Sequence, residues 1–113
     1  MTRKALKAQC DRLYSLWVRS SGYCYLCGSI YRLQCAHLFS RRYHGTRWSI
    51  KPVGAWCLCA KCHVYYTWRP LEWDQILRQH LGERTYQTLR RKALRGIVPD
   101  LARLKVKLQG LLR

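Results

Sequence analysis

Seven cysteines and four histidines carry most of the side-chain chemistry of this 113-residue chain. Four of the cysteines form two C-x-x-C pairs, Cys24/Cys27 followed by Gly28, and Cys59/Cys62, with 31 residues between the pairs. A C-x-x-C turn aims two thiolates at one point. Two such turns complete a tetrahedral S4 site, which suits Zn²⁺ with Zn–S bonds of about 2.3 Å. A redox pair is the competing reading, but it expects one motif in a βαβ pattern and not two in a basic, glycine-bearing region. The expectation is therefore structural Zn²⁺ on Cys24, Cys27, Cys59 and Cys62. Cys10, Cys35 and Cys57 lie among apolar residues and read as buried thiols, although Cys57, two residues before Cys59, is a possible substitute ligand.

His37 follows Cys35 and Ala36 at the expected end of a strand, and His63 follows Cys62 on an expected helix. Imidazole titrates near neutral pH and is able to act as a general base or a metal ligand. His44, in a Tyr-His-Gly loop, reads first as a solvated residue or phosphate contact and second as a metal ligand. His80, close to a helix end before Gly82, is suited to the helix dipole. Arg41, Arg42 and Arg47 in SRRYHGTRW can make bidentate phosphate contacts, and Lys61 adds a cation inside the second C-x-x-C. The acids are Asp11, Glu72, Asp74, Glu83 and Asp100, and none lies from residue 12 to 71. Chemistry in that stretch falls to His, Cys, Ser, Tyr or backbone groups, or to an acid brought in from the flanks.

The charge balance points to a partner. With 22 Lys and Arg against five Asp and Glu, the net charge is +17, and self-repulsion on this scale is best tolerated against a polyanion. The balance argues against an acidic or neutral metabolic enzyme and makes nucleic acid the expected partner, ahead of a merely supercharged surface or a membrane-surface binder. No run of about 18 apolar residues is present to cross a bilayer, and residues 1–9 contain no apolar stretch. The expected compartment is reducing and cytoplasmic, where clustered cysteines bind metal more often than they pair. Trp48, Tyr65, Tyr66 and Trp68, near the motifs, are candidates to stack on bases, whereas Trp17 and Trp73 read as core.

These side chains need elements to position them. Leu6, Cys10, Leu13 and Trp17 recur at helical spacing between Thr2 and Arg19, ahead of Ser20, Ser21 and Gly22. Residues 23–68 hold the glycines, aromatics and cysteines and read as short strands and loops until a helix begins near Cys59. Pro70 opens a helix that carries Leu71, Ile76, Leu77 and Leu81 to Gly82. A further segment places Tyr86, Leu89, Ala93 and Leu94 on one face before Gly96, and Asp100 caps a last run of Leu101, Leu104, Leu108, Leu111 and Leu112. That last helix either packs on the first or mediates dimerisation. The expectation is one small α+β domain over 1–113: an N-terminal helix (1–22), a zinc-stabilised centre (23–68) and C-terminal helices (69–113). So small a core gains from a metal clamp.

Taken in order, C-x-x-C, His37, then C-x-x-C-His63 resembles the HNH nucleases, whose ββα-metal unit is often built on a four-cysteine zinc site. Over nearly the whole chain the pattern is similar to the NinG (Rap) recombination proteins of lambdoid phages: a basic helix, GYCYLCG, QCAHLFSRR, TRW, CLCAKCH, WDQILRQHLGERTYQTL and a charged final helix. The resemblance implies a ββα-metal, treble-clef-like centre and a metal-dependent DNA endonuclease acting in recombination or processing, including on branched DNA. It implies His37 as general base and His63 as ligand of a catalytic Mg²⁺, Mn²⁺ or Ni²⁺, with His44 or a carbonyl as a third ligand. The expected protein is a monomer or homodimer with no membrane association, in the host cytoplasm if viral. Two positions depart from the family pattern. Ala36 stands where a ligand usually precedes the base, and Gly54 where an Asn usually orients it, so that Ser49 or a backbone carbonyl must hold the His37 ring. The rival reading is a non-catalytic zinc-stabilised nucleic-acid-binding module.

Overall fold

The computed structural model describes residues 1–113. Helix α1 runs Arg3–Arg19, and the Thr2 side chain caps it by accepting from the Ala5 amide at 3.0 Å. A long excursion containing the first C-x-x-C leads to strand β1 (Leu33–His37). A four-residue helix α2 (His44–Arg47) follows, then strand β2 (Ala55–Cys59), which runs directly into helix α3 (Ala60–Thr67). The C-terminal third is α4 (Pro70–Leu81), α5 (Glu83–Arg95) and α6 (Leu101–Leu111). The molecule is thus a small α+β fold with six helices and one two-stranded sheet. No helix is long and apolar enough to cross a membrane.

The strands pair antiparallel, with Leu33 opposite Cys59, Cys35 opposite Cys57 and His37 opposite Ala55. All five residues of β2 are buried, which means that both faces of the hairpin are covered. Because successive side chains alternate between faces, Ala36, Trp56 and Leu58 join one core with Leu77 of α4 and Tyr86 and Leu89 of α5. Ala55 and Cys35 meet the other, made by Cys10, Leu13 and Tyr14 of α1 and Leu101, Leu104 and Leu108 of α6. The last helix therefore packs on the first, with its Asp100 cap accepting from the Arg103 amide.

The apolar stripes of α5 and α6 are wider in sequence than in the core. Leu94, Leu111 and Leu112 are exposed, because the neighbours of these helices cover only the Tyr86/Leu89/Ala93 and Leu101/Leu104/Leu108 rows. Trp48 is also placed differently from expectation. At 3 % exposure it belongs to the α1–α6 core, whereas Trp68 stands 79 % exposed.

Candidate metal centre and histidine cleft

The first C-x-x-C turn closes on Gly28, whose amide donates to the Cys24 carbonyl at 2.9 Å and whose φ of 79° favours glycine. The Cys27 amide donates to Cys24 Sγ at 3.5 Å, and in the second turn the Cys62 amide donates to Cys59 Sγ at the same distance. Cys59 is at once the end of β2 and the cap of α3. The two turns are drawn together by the bond from the Tyr25 amide to the Cys57 carbonyl.

As a result, the Sγ atoms of Cys24, Cys27, Cys59 and Cys62 lie within 4.8 Å of one another, with Cys27 and Cys59 at 3.6 Å. Tetrahedral Zn–S bonds place sulfurs about 3.8 Å apart, so the four thiols fit such an ion. Burial raises the Cys24 pKa, but the N–H donors around its sulfur outweigh burial and bring it down to about 6. This is the only place where three or more His, Cys, Asp or Glu ligand atoms converge. Cys57 is not among them and is buried in the hairpin.

His37 ends β1 half-buried, its ring stacked on Tyr14 with centroids 5.9 Å apart. Its Nε2 lies 3.1 Å from the Arg47 carbonyl. Burial lowers its pKa from the ordinary 6.5, and the charges of Arg41 and Arg47 act in the same direction, against the Arg47 carbonyl and Asp11. The neutral ring is favoured, and because a carbonyl only accepts, Nε2 carries the proton and the lone pair is left on Nδ1. A backbone carbonyl therefore holds the ring. Ser49 does not, since its hydroxyl donates to the Pro52 carbonyl at 2.6 Å and accepts from Lys92 Nζ at 2.8 Å.

Gly54 has a steric reason. A Cβ there falls 2.3 Å from the Thr46 carbonyl oxygen, so no side chain of any kind fits. Its amide donates to the Tyr14 hydroxyl at 3.1 Å and to the Ser49 carbonyl at 3.0 Å, and Tyr14 in turn donates to the Ser49 carbonyl at 2.6 Å. Gly54 thus locks the 49–54 loop against α2, whose last carbonyl orients His37.

His63, on α3, has its Nδ1 2.7 Å from Gln34 Oε1, which leaves Nε2 free as a ligand atom. Burial lowers its pKa. His37 and His63 line one cleft of about 130 Å³, walled by Tyr66, Thr67 and Trp73, with Ala36 and Leu58 at its base. No carboxylate lines it. A divalent ion in this cleft would have His63 as its only side-chain nitrogen beyond His37, with the Thr67 hydroxyl nearby, and would take its remaining ligands from water and phosphate. Alone, the cleft supplies no group of three side-chain ligands for such an ion.

The other site residues divide. His44 does not join His63. It stacks at 6.2 Å on Trp48 and lines a separate cavity, because α2 turns it away from α3. Arg47 is no free phosphate contact. Its guanidinium is held by Asp11 through Nε at 3.0 Å and Nη2 at 2.5 Å. The Trp48 indole donates to the same carboxylate at 2.8 Å. Asp11 is the flanking acid, spent on holding α2 to α1. Arg41, Arg42 and Lys61 are exposed and make no ion pair. His80 sits against Tyr25 and Trp56, with centroids 5.3 and 5.6 Å away. Asp11, Tyr14 and Gln34 position the two histidines, yet only Asp11 left a trace in the sequence, as the sole acid before Glu72. Compared with known protein families, with curated proteins and with solved structures, the chain matches none.

Proposed function

We propose that this protein is a metal-dependent DNA endonuclease of HNH type, with a ββα-metal, treble-clef-like centre stapled by zinc on the four cysteines. The observation that carries the reading is the pairing of two differently held histidines in one cleft: His37, tied at Nε2 to a main-chain carbonyl, and His63, tied at Nδ1 to Gln34. The first is left with a basic Nδ1 to take a proton from water. The second presents Nε2 to a divalent ion, which when bound supplies charge neutralisation at the scissile phosphate. Arg41, Arg42 and Lys61, exposed and unpaired, are free to meet neighbouring phosphates. The exposed Trp68 is free to stack on a base.

The binding-module reading draws on the absence of any carboxylate in the cleft. Nicking of supercoiled plasmid and of a four-way junction in Mg²⁺, Mn²⁺ or Ni²⁺ distinguishes the two. Under the enzyme reading, His37→Ala lowers cleavage by about 10²-fold, with zinc content, folding and DNA affinity unchanged. His63→Ala also lowers it but is partly rescued by added metal. A wild-type protein that binds DNA but fails to cleave it in the presence of any of these ions leaves the binding module standing.

A further inference from the structure

A second, larger cavity of about 540 Å³ lies between α2, the 49–51 loop, the end of α5 and α6. It shares no lining residue with the histidine cleft. Its wall carries Lys51, Lys92, Arg95, Arg103, Lys107 and His44. Against these stands a single carboxylate, Asp100, which already accepts from the Arg103 amide as the cap of α6. None of the five Lys and Arg side chains takes part in an ion pair.

The helix dipole accounts for Lys92 and Arg95, in and near the last turn of α5. It does not account for Lys51, which comes from a loop, or for Arg103 and Lys107, which come from α6. Two features hold the cluster together. Gly45 lets α2 lie directly on α5, since a Cβ there would fall 2.0 Å from the Lys92 carbonyl oxygen. Lys92 Nζ is then fixed by the Ser49 hydroxyl at 2.8 Å. Burial lowers the Lys92 pKa, and the facing charges of Arg95 and Lys107 lower it further. Like charges converging on one concavity without a counter-charge are relieved by an anion in it.

We infer that this cavity is a phosphate-binding site, and that the phosphate it takes is a phosphodiester of the nucleic acid strand, at a distance from the cleaved bond. Its volume leaves room for a nucleotide unit beyond a bare ion. His44, stacked on the buried Trp48, stands at its edge beside the charges. The strand assignment rests on the nucleic-acid reading above, whereas the phosphate site itself does not.

The test compares the full-length wild type with an Arg103→Gln/Lys107→Gln variant. An Arg84→Gln/Arg90→Gln control removes equal charge from exposed positions outside the cavity. Each is titrated with inorganic phosphate and with a short DNA duplex, the amides of Ile97 and Leu104 being followed by NMR, and thermal melting confirms that the proteins are equally folded. The expected result is that both ligands shift the cavity amides in wild type and control. In the Arg103/Lys107 variant, duplex affinity is about tenfold weaker than in the control and the salt slope is smaller by about 2. Duplex affinity equal in the two variants, with inorganic phosphate still shifting the cavity amides of the wild type, overturns the strand assignment. Cavity amides silent to both ligands overturn the site. A protein that binds duplex through this cavity and never cuts it removes the enzyme reading alone.

Discussion

On one face of the β1–β2 hairpin, Trp56 and Leu58 pack with α4 and α5 beside four thiols. On the other, Ala55 meets α1 and α6, where apolar packing closes the core without a metal. The two histidines divide along the same line. His63 sits on the helix that begins at a cysteine ligand, so its position depends on the thiol centre. His37 is oriented from the other side, through Tyr14 and the Asp11-tethered α2. The contrast teaches that the cleft is a junction between a part that a metal on the four thiols would stiffen and a part stiffened by packing and hydrogen bonds, so the His37 ring can be disturbed without moving His63.

Removing the metal should have the largest effect. Structural zinc sites contribute on the order of 10 kcal/mol, as much as the whole stability of a typical domain. Chelation, or Cys24→Ser, is expected to erase amide protection in β1, β2 and α3, while the α1–α6 pair keeps part of its helicity. Hydrogen exchange reads both. Protected Cys35 and Cys57 amides in the metal-free protein would falsify the dependence of the hairpin on the thiol centre.

Asp11→Ala attacks the other side. It strips the acceptor from both the Arg47 guanidinium and the Trp48 indole, a loss of about 2–3 kcal/mol for a partly buried, charge-assisted network. Cleavage should fall with it, because the carbonyl that orients His37 shifts. Zinc content should stay intact, and DNA affinity should hold or rise as Arg47 is released. Denaturation midpoints, metal analysis and nicking rates together check this. An unchanged midpoint would mean that α2 does not rely on Asp11.

Gly54 supplies a third break. Gly54→Ala brings a methyl group against the Thr46 carbonyl and is expected to cost about 1–3 kcal/mol. Gly54→Asn, which restores the residue type that the HNH pattern carries there, should be worse and should not raise cleavage. A gain in cleavage from that substitution would count against main-chain orientation of His37.

The smallest effect is in the pH profile. The His37 pKa lies below 6.5 in the folded protein, and the base acts as the neutral ring. With His37 as the base of the proposed reaction, cleavage should therefore rise with pH, reach half its plateau below pH 6.5 and flatten above it. The stability contribution has the matching sign: the depressed pKa favours the folded state fully above the unfolded value, and this is lost as pH falls through the folded one. A profile still climbing steeply above pH 7 would point to another base.

The four-cysteine cluster was legible because thiol pairs at fixed spacing have few other uses, and helix ends were legible because Pro70, Gly82 and Asp100 are local signals. What was not legible was tertiary. Arg47 read as a phosphate contact because its partner, Asp11, lies 36 residues away in sequence. The helix α2 was hidden by its four-residue length. Gly54 read as a missing amide because an acceptor supplied by the main chain of Arg47 has no side-chain signature. His44 read as a possible ligand on proximity in sequence, which the turn of α2 undoes.

That main-chain acceptor has an evolutionary corollary. Every residue type carries the same carbonyl, so drift at position 47 can loosen the tether to Asp11 but cannot delete the group that holds the His37 ring. Selection on the orientation of that ring is thereby transferred from one position to the packing of α2: to Gly54, which leaves space for it, to Gly45, which seats it on α5, and to Tyr14, which closes the loop beneath it. In descendants of this chain those three positions should be the ones that resist change, while residue 47 varies.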